Sequence, residues 1–417
     1  MYKILVVVES IDVENSSGAK ANVSMINNLK SAGFELLVYH YSFKDIKLSG
    51  ISCITIKEKK WNGLYFLSRL ERQIRYLFRI KLYKILENSF GFSFTLFNDR
   101  NSIIAALGKI KDFNFDLILT LSQGGRFRPH HAVLKIPEFH NKWMAYIHDP
   151  YPMHLFPPPY FWKEPGFAIK EKFIMEVAEK SAINAFPSQL LMEWMGRFYP
   201  HFIKKGMVIP HQLEKKKELT IELPDFFNPA KFNIVHAGNL LWGRDPIGLI
   251  NGFIKFLKSK PEASKDVRLL FLGGKSHYST ILKDYEANIH QIYVGENYLP
   301  FVQSQEIQKL SAINVILEAK AEISPFLPGK FPHCIMADKP ILLLGPPKSE
   351  SRRLLGEDYK YWAEIDNEKK ISQLIGNLYE QWQLGIKETL SRKDVEEYLS
   401  PVYLKEKILM AINKVKE

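Results

Sequence analysis

Short, unbroken apolar runs bounded by polar loops constrain the fold of this chain more than any other feature. Residues 3–8 (KILVVV), 34–41 (FELLVYHY), 52–56 (SCITI), 116–121 (DLILTL), 143–147 (WMAYI) and 182–186 (AINAF) form one series. A second series runs through 231–236 (KFNIVH), 267–272 (VRLLFL), 291–294 (QIYV), 314–317 (NVIL) and 340–344 (PILLL). Continuous rather than alternating apolarity means that both faces of a strand are buried, as in parallel sheets. Helical segments separate most of the runs, and the first of these ends at Gly33. Such alternation predicts an α/β chain of two Rossmann-like, doubly wound domains facing across a cleft. Ligand crevices are expected beyond the carboxyl ends of the strands.

Length supports the division. A chain of 417 residues exceeds the size at which a single hydrophobic core stops growing. The segment VIPHQLEKKKELTIELPDFFNPA, 208–230, is rich in charge, Pro and Asn and reads as the connection between domains. The expected domains are 1–210 and 211–400, followed by a terminal helix over 401–417 with Tyr403, Leu404, Ile408, Leu409 and Ile412 along one face. The two cysteines, Cys53 and Cys334, are far apart and lack metal-ligand spacing. A disulfide framework and a zinc site are therefore not expected, and a reducing compartment fits. The opening MYKILVVVES lacks the basic leader and length of a signal peptide. The expectation is a cytoplasmic protein, peripheral to the inner membrane face if it meets a membrane at all.

The net charge of +12 is uneven. Residues 57–86 hold nine Lys or Arg against two Glu. Leu67, Leu70, Ile74, Leu77, Leu82 and Ile85 recur there at helical spacing among Arg69, Arg72, Arg75 and Arg79. Such a helix either lies on an anionic membrane surface or is a surface helix with its apolar face in the core. No nucleic-acid-binding motif accompanies the charge, so a nucleic-acid partner is not expected.

Four strand ends offer chemistry. In SPFLPGKFPHCIMADKPILLL, 324–344, the turn residues Pro325, Pro328 and Gly329 precede Lys330, which sits where a helix should begin. Amide N–H groups and a cation there suit a phosphate; the alternative is an ordinary loop with a solvated lysine. In HAGNLLWGRDP, Gly238 and Asn239 form a turn after a strand, and Arg244 stands before the next helix with a planar fork of donors for phosphate oxygens. The first strand leads to Ser16, Ser17 and Gly18, small enough for close approach of a diphosphate or sugar, without the G-x-G-x-x-G of a dinucleotide site. His148 follows another buried strand in YIHDPYP, where it can bond a substrate hydroxyl, take up developing charge, or hold its own loop in shape. No convincing D-x-D motif is present, so the sequence requires no divalent metal.

With those residues in hand, the chain resembles GT-B glycosyltransferases, and most of all glycosyltransferase family 4. The likeness spans nearly the whole length and is strongest at 232–256 and 311–344, with VIPHQ at 208–212 similar to the family's interdomain link. It implies retaining, metal-independent transfer of a sugar from a nucleotide diphosphate sugar, a co-substrate rather than a cofactor, to a glycan or lipid-linked acceptor. By that resemblance His148, Arg244 and Lys330 are the catalytic set. Ser16, Ser17, Gly18, Gly238, Asn239, Tyr293, Gly295, Ser324, Pro328, Gly329, Phe331 and His333 would bind the donor, with the base near Tyr293–Asn297. The terminal helix would cross back onto the first domain.

Two positions depart from the family pattern. Asn239 stands where a phosphate-binding arginine is usual. Pro325 and His333 replace the E-x7-E carboxylates. Three readings follow: a glycosyltransferase with altered ribose recognition, a non-catalytic homologue that holds nucleotide sugar or a partner, and a sugar-nucleotide epimerase of the same shape.

Overall fold

The computed structural model describes residues 1–14, 16–111, 114–213 and 221–416. The chain divides into two compact units, Met1–Phe156, Tyr160–Glu214 and Leu399–Glu417 against Pro157–Pro159 and Lys215–Tyr398. Residues 214–220 of the expected interdomain connection lie outside the described residues.

Unit 1 is built on strands β1 (Lys3–Val8), β2 (Glu35–His40), β3 (Ser52–Thr55), β4 (Leu117–Leu121), β5 (Trp143–Tyr146), β6 (Ile183–Phe186) and β7 (Gly206–Val208). They pair in parallel in the order β3-β2-β1-β4-β5-β6-β7. The sequence explains the double covering. Leu5 and Val7 of β1 enter one apolar cluster, while Ile4, Val6 and Val8 enter another. Successive side chains point to opposite faces, so an all-apolar strand needs helices on both. One face is covered partly by α1 (Ser17–Ser31), capped by the Ser16 side chain accepting from Ala19 N, and partly by the terminal helix Pro401–Lys416 through Leu404, Ile408 and Ile412.

Unit 2 carries β8 (Phe232–Ala237), β9 (Val267–Leu272), β10 (Ile292–Val294), β11 (Ile313–Leu317), β12 (Ile323–Ser324), β13 (Ile341–Leu344), β14 (Lys348–Ser349) and β15 (Trp362–Ala363). The main sheet is ordered β10-β9-β8-β11-β13-β15, and β12 pairs with β14 in a two-stranded parallel ribbon. Strands β7, β12, β14 and β15 are two or three residues long, too short to carry a hydrophobic period, and none of them was expected. In both sheets the strand order reverses beside a central strand, between β1 and β4 and between β8 and β11. Those reversals open the crevices where such folds bind ligands.

Candidate functional site

The crevice of unit 2 is assembled from two glycine turns and a half-buried lysine paired with a buried histidine. Strand β8 ends in His236 and Ala237, and Gly238 follows with φ +128, a backbone that side-chain-bearing residues rarely adopt. Its neighbour across the sheet, Gly273 after β9, has no room for a side chain, because a Cβ would lie 2.5 Å from Gly238 O. The turns therefore pack backbone against backbone. Lys330 reaches over Gly238, where a Cβ would meet Lys330 Cε at 3.3 Å and Nζ at 3.4 Å. Its ammonium donates to His236 Nε2 at 2.7 Å. A small cavity beside the pair is lined by His236, Gly238, Gly273, Gly274 and Gly295.

The electrostatics follow from enclosure. Burial, followed by the charges of Lys330 and Arg244, holds His236 well below the usual imidazole range, so it is a neutral acceptor. Burial also pushes Lys330 down to about 7, with Arg244 adding to the effect. Arg244 is thus close enough to act on both groups, and it acts as well on Glu318, the residue after β11. Glu318 is 3% exposed and accepts from Ser351 Oγ at 2.6 Å. Burial raises its carboxyl to about 7 against the opposing hydrogen bonds from Ser351, Ser349 and Ser324. An anion entering beside Lys330 and Arg244 would restore the charge that burial disfavours on the lysine.

The crevice of unit 1 is different in kind. His148, half-buried after β5, donates from Nε2 to Asn22 Oδ1 at 2.9 Å. The Asn22 amide in turn donates to the carbonyls of Ser122 (3.3 Å) and Ser10 (3.5 Å). Burial, then His211 and His130, keep His148 well below the usual imidazole range. With its Nε2 proton committed to Asn22, the neutral ring keeps Nδ1 as an acceptor. Ser16 accepts from Gln123 Nε2 at 2.6 Å, and a Cβ on Gly18 would lie 2.9 Å from Gln123 Cγ. The small residue at 18 is explained by Gln123 alone.

No family model matches the chain, and no curated protein matches it by sequence. Solved structures match along its whole length. The E. coli trehalose-6-phosphate structure bound with UDP-2-fluoro glucose superposes with a TM-score of 0.64 at 12% identity, covering 98% of each chain. The trehalose 6-phosphate synthase of Burkholderia multivorans gives 0.62 at 8% identity, covering 100% of this chain and 99% of that one. The UDP-forming trehalose-phosphate synthase of Burkholderia xenovorans in complex with glucose-6-phosphate gives 0.61 at 8% identity, over 99% and 100%. This chain has the GT-B fold. Its two parallel sheets are the two Rossmann-like domains of that architecture.

Within this GT-B chain only part of the predicted unit 2 set comes together. Lys330, Gly238, Asn239 and Gly295 lie together at the unit 2 crevice, and the charge of Arg244 bears on Lys330 and His236. Asn239, standing where the resemblance expects arginine, donates to Tyr298 Oη at 2.9 Å and accepts from Gly274 N at 3.3 Å, tying the β8 turn to the β9 turn. Tyr293 stacks on Phe226 at 4.1 Å. His333 accepts from Gln305 Nε2 at 3.1 Å and lies edge-on to Phe301.

Three expectations need correction. Lys330 does cap a helix, but that helix is only Phe331–Met336, and the ammonium turns away to His236 rather than joining its amide groups. Phe331 is fully buried; its ring belongs to the core rather than to a ligand surface. His148 does not suit the uptake of developing charge, because its enclosure disfavours the imidazolium. Ser324 and Pro328 are also buried, whereas Gly329 and Ser17 are exposed. Sequence reasoning missed His236, Glu318, Gly273, Asn22 and Gln123. The FLGGK turn after a buried strand was a legible signal for Gly273; nothing marked the other four.

Proposed function

We propose that this chain is a glycosyltransferase that takes its sugar from a nucleoside diphosphate donor. The observation that carries the reading is the pairing of Lys330 with His236 over the glycine turns at the unit 2 strand reversal, with the charge of Arg244 bearing on both. The diphosphate lies between Arg244 and Lys330, the base lies toward Tyr293–Asn297, and the 324–329 loop borders the sugar. As the glycosidic bond breaks, charge grows on the diphosphate, and the two cations stabilise it more than they stabilise the bound donor. The departing phosphate oxygen takes the acceptor's proton. Transfer is retaining and needs neither metal nor cofactor.

Unit 1 holds the acceptor hydroxyl, with His148 Nδ1 accepting a hydrogen bond and the 16–18 loop bordering it. The acceptor is a glycan or a lipid-linked saccharide of cell-surface assembly. Similarity to glycosyltransferase family 4 at 232–256 and 311–344 supports this reading. The UDP-2-fluoro glucose on the E. coli neighbour makes UDP-glucose the first donor to try, and the glucose-6-phosphate on the B. xenovorans neighbour gives a first acceptor.

The test is a thermal-shift screen against UDP, GDP, ADP and their sugars, followed by product analysis with and without acceptor. A donor that binds the native state raises the melting temperature, and sugar transfer should then require acceptor. A changed donor sugar without acceptor would indicate an epimerase, and binding without product a non-catalytic homologue. No shift with any nucleotide would remove the donor site altogether.

A further inference from the structure

Helix α2 (Gly63–Phe78) is mounted inside out. It precedes α3 (Leu82–Phe90) and packs beside α4 (Phe94–Leu107). Leu64, Tyr65 and Ile74 are only half-buried, and the bonds that tie the helix to its surroundings are polar. The capping residue Asn62 donates to Asn98 Oδ1 of α4 at 2.9 Å, and Arg69 pairs with Glu58 at 2.7 Å. Ser68, the helix's one buried residue, is 1% exposed and donates to Tyr65 O at 2.7 Å. The apolar stripe faces outward. Phe66, Leu67, Leu70, Leu77 and Phe78 are each between 44% and 69% exposed, at the spacing of one helical face. Beyond the helix, Ile80 is 49%, Ile85 64% and Phe90 51% exposed. The alternative in which this helix turns its apolar face into the core is thereby corrected: only Ser68 is buried, while Leu67, Leu70 and Leu77 lie exposed.

A contiguous exposed apolar face of this kind marks an interaction surface, and the charge around it selects the partner. From 62 to 90 there are six Lys or Arg and two Glu. Arg72, Arg75 and Arg79 line one open depression with Tyr76 and Leu77, so cations and apolar groups share the same surface. A second copy docking through the same face would set these cations against one another. A bilayer rich in anionic lipid satisfies both halves: acyl chains meet the apolar stripe, and headgroup phosphates meet the arginines. Among the described residues no helix is long and apolar enough to cross a membrane, so the contact would be interfacial.

We infer that α2 and α3 form a docking surface for an anionic membrane, with Leu70 and Leu77 entering the headgroup–acyl boundary and Arg72, Arg75 and Arg79 on lipid phosphates. This goes beyond the donor reading and does not depend on it. Vesicle flotation of the full chain tests it, with phosphatidylglycerol-containing vesicles beside pure phosphatidylcholine. The wild type should float with the anionic vesicles only, and less at high salt. An Arg72→Gln/Arg75→Gln/Arg79→Gln variant should bind about a hundredfold more weakly, and Leu70→Ser/Leu77→Ser should also lose most binding. Circular dichroism and nucleotide-induced thermal shifts should be unchanged in both, since every altered side chain lies at the surface. Equal flotation with neutral vesicles, no flotation at all, or variants that float like the wild type would each overturn the assignment. So would a dimer in sedimentation velocity that Leu70→Ser/Leu77→Ser dissolves, because the stripe would then serve self-association.

Discussion

The crevices of the two units occupy the same place in two similarly wound sheets, yet they are furnished oppositely. In unit 2 the strand ends bring together Lys330, Arg244, His236 and Glu318, with their charges coupled through a poorly solvated space. In unit 1 the corresponding place holds Asn22, Ser122, Ser16, Gln123 and a neutral His148, joined by ordinary hydrogen bonds, and its one buried carboxylate at the end of β1, Glu9, is already paired with Arg128. A site whose groups titrate near neutrality suits a ligand that brings its own charge. A site of fixed, neutral donors and acceptors suits hydroxyl groups. The contrast teaches that one strand-reversal geometry can furnish either an electrostatic crevice or an orienting one, because burial acts so differently on cations and amides.

The largest test of that contrast removes the cations. Arg244→Ala and Lys330→Ala should each lower turnover by about a hundredfold or more, the cost of losing one charge-stabilising donor. His148→Gln should leave donor-nucleotide affinity near the wild-type value and act mainly on the acceptor's KM. Equal losses of donor affinity from changes in either unit, measured by calorimetry, would dissolve the proposed division.

Much of this arrangement was legible in the sequence, for a physical reason. Strands buried in the middle of a sheet are apolar at nearly every position, so eleven of the main-sheet strands announce themselves while β7 and β15 do not. Lys330 and Gly238 were readable because turns and strand ends have local chemistry. What escaped notice depends on distance in the chain. His236 sits inside a strand and gains meaning only from a lysine 94 positions away. Asn22 lies within α1 and matters because His148, 126 positions on, donates to it. The facing of α2 stayed open between two readings for another reason: the hydrophobic period of a helix is identical whether the stripe faces in or out.

A smaller effect separates the halves by pH. Lys330 stands at about 7 before ligand binds, and a diphosphate beside it favours the charged form. Binding therefore takes up a proton above neutrality. Affinity should be greatest at or below pH 7 and fall by up to about tenfold per unit as pH rises toward 9. Lys330→Arg, whose charge is fixed, should flatten the profile. A wild-type profile already flat from pH 7 to 9 would mean that the lysine stays charged without ligand.

The smallest effect concerns stability rather than binding. Glu318 is raised from 4.5 to about 7 in the folded chain. Between those values the folded state holds a proton that the unfolded state has released, so this group's contribution favours folding at low pH and is lost as pH rises toward 7. Glu318→Gln keeps the shape and can still accept from Ser351, but it cannot ionise. Relative to the wild type, its melting temperature should gain a few degrees on going from pH 5 to pH 8. A constant difference between the two proteins across that range would mean that Glu318 is ionised throughout. The charged half would then contain a settled carboxylate–arginine couple, and Lys330 alone would be left to respond to an arriving anion.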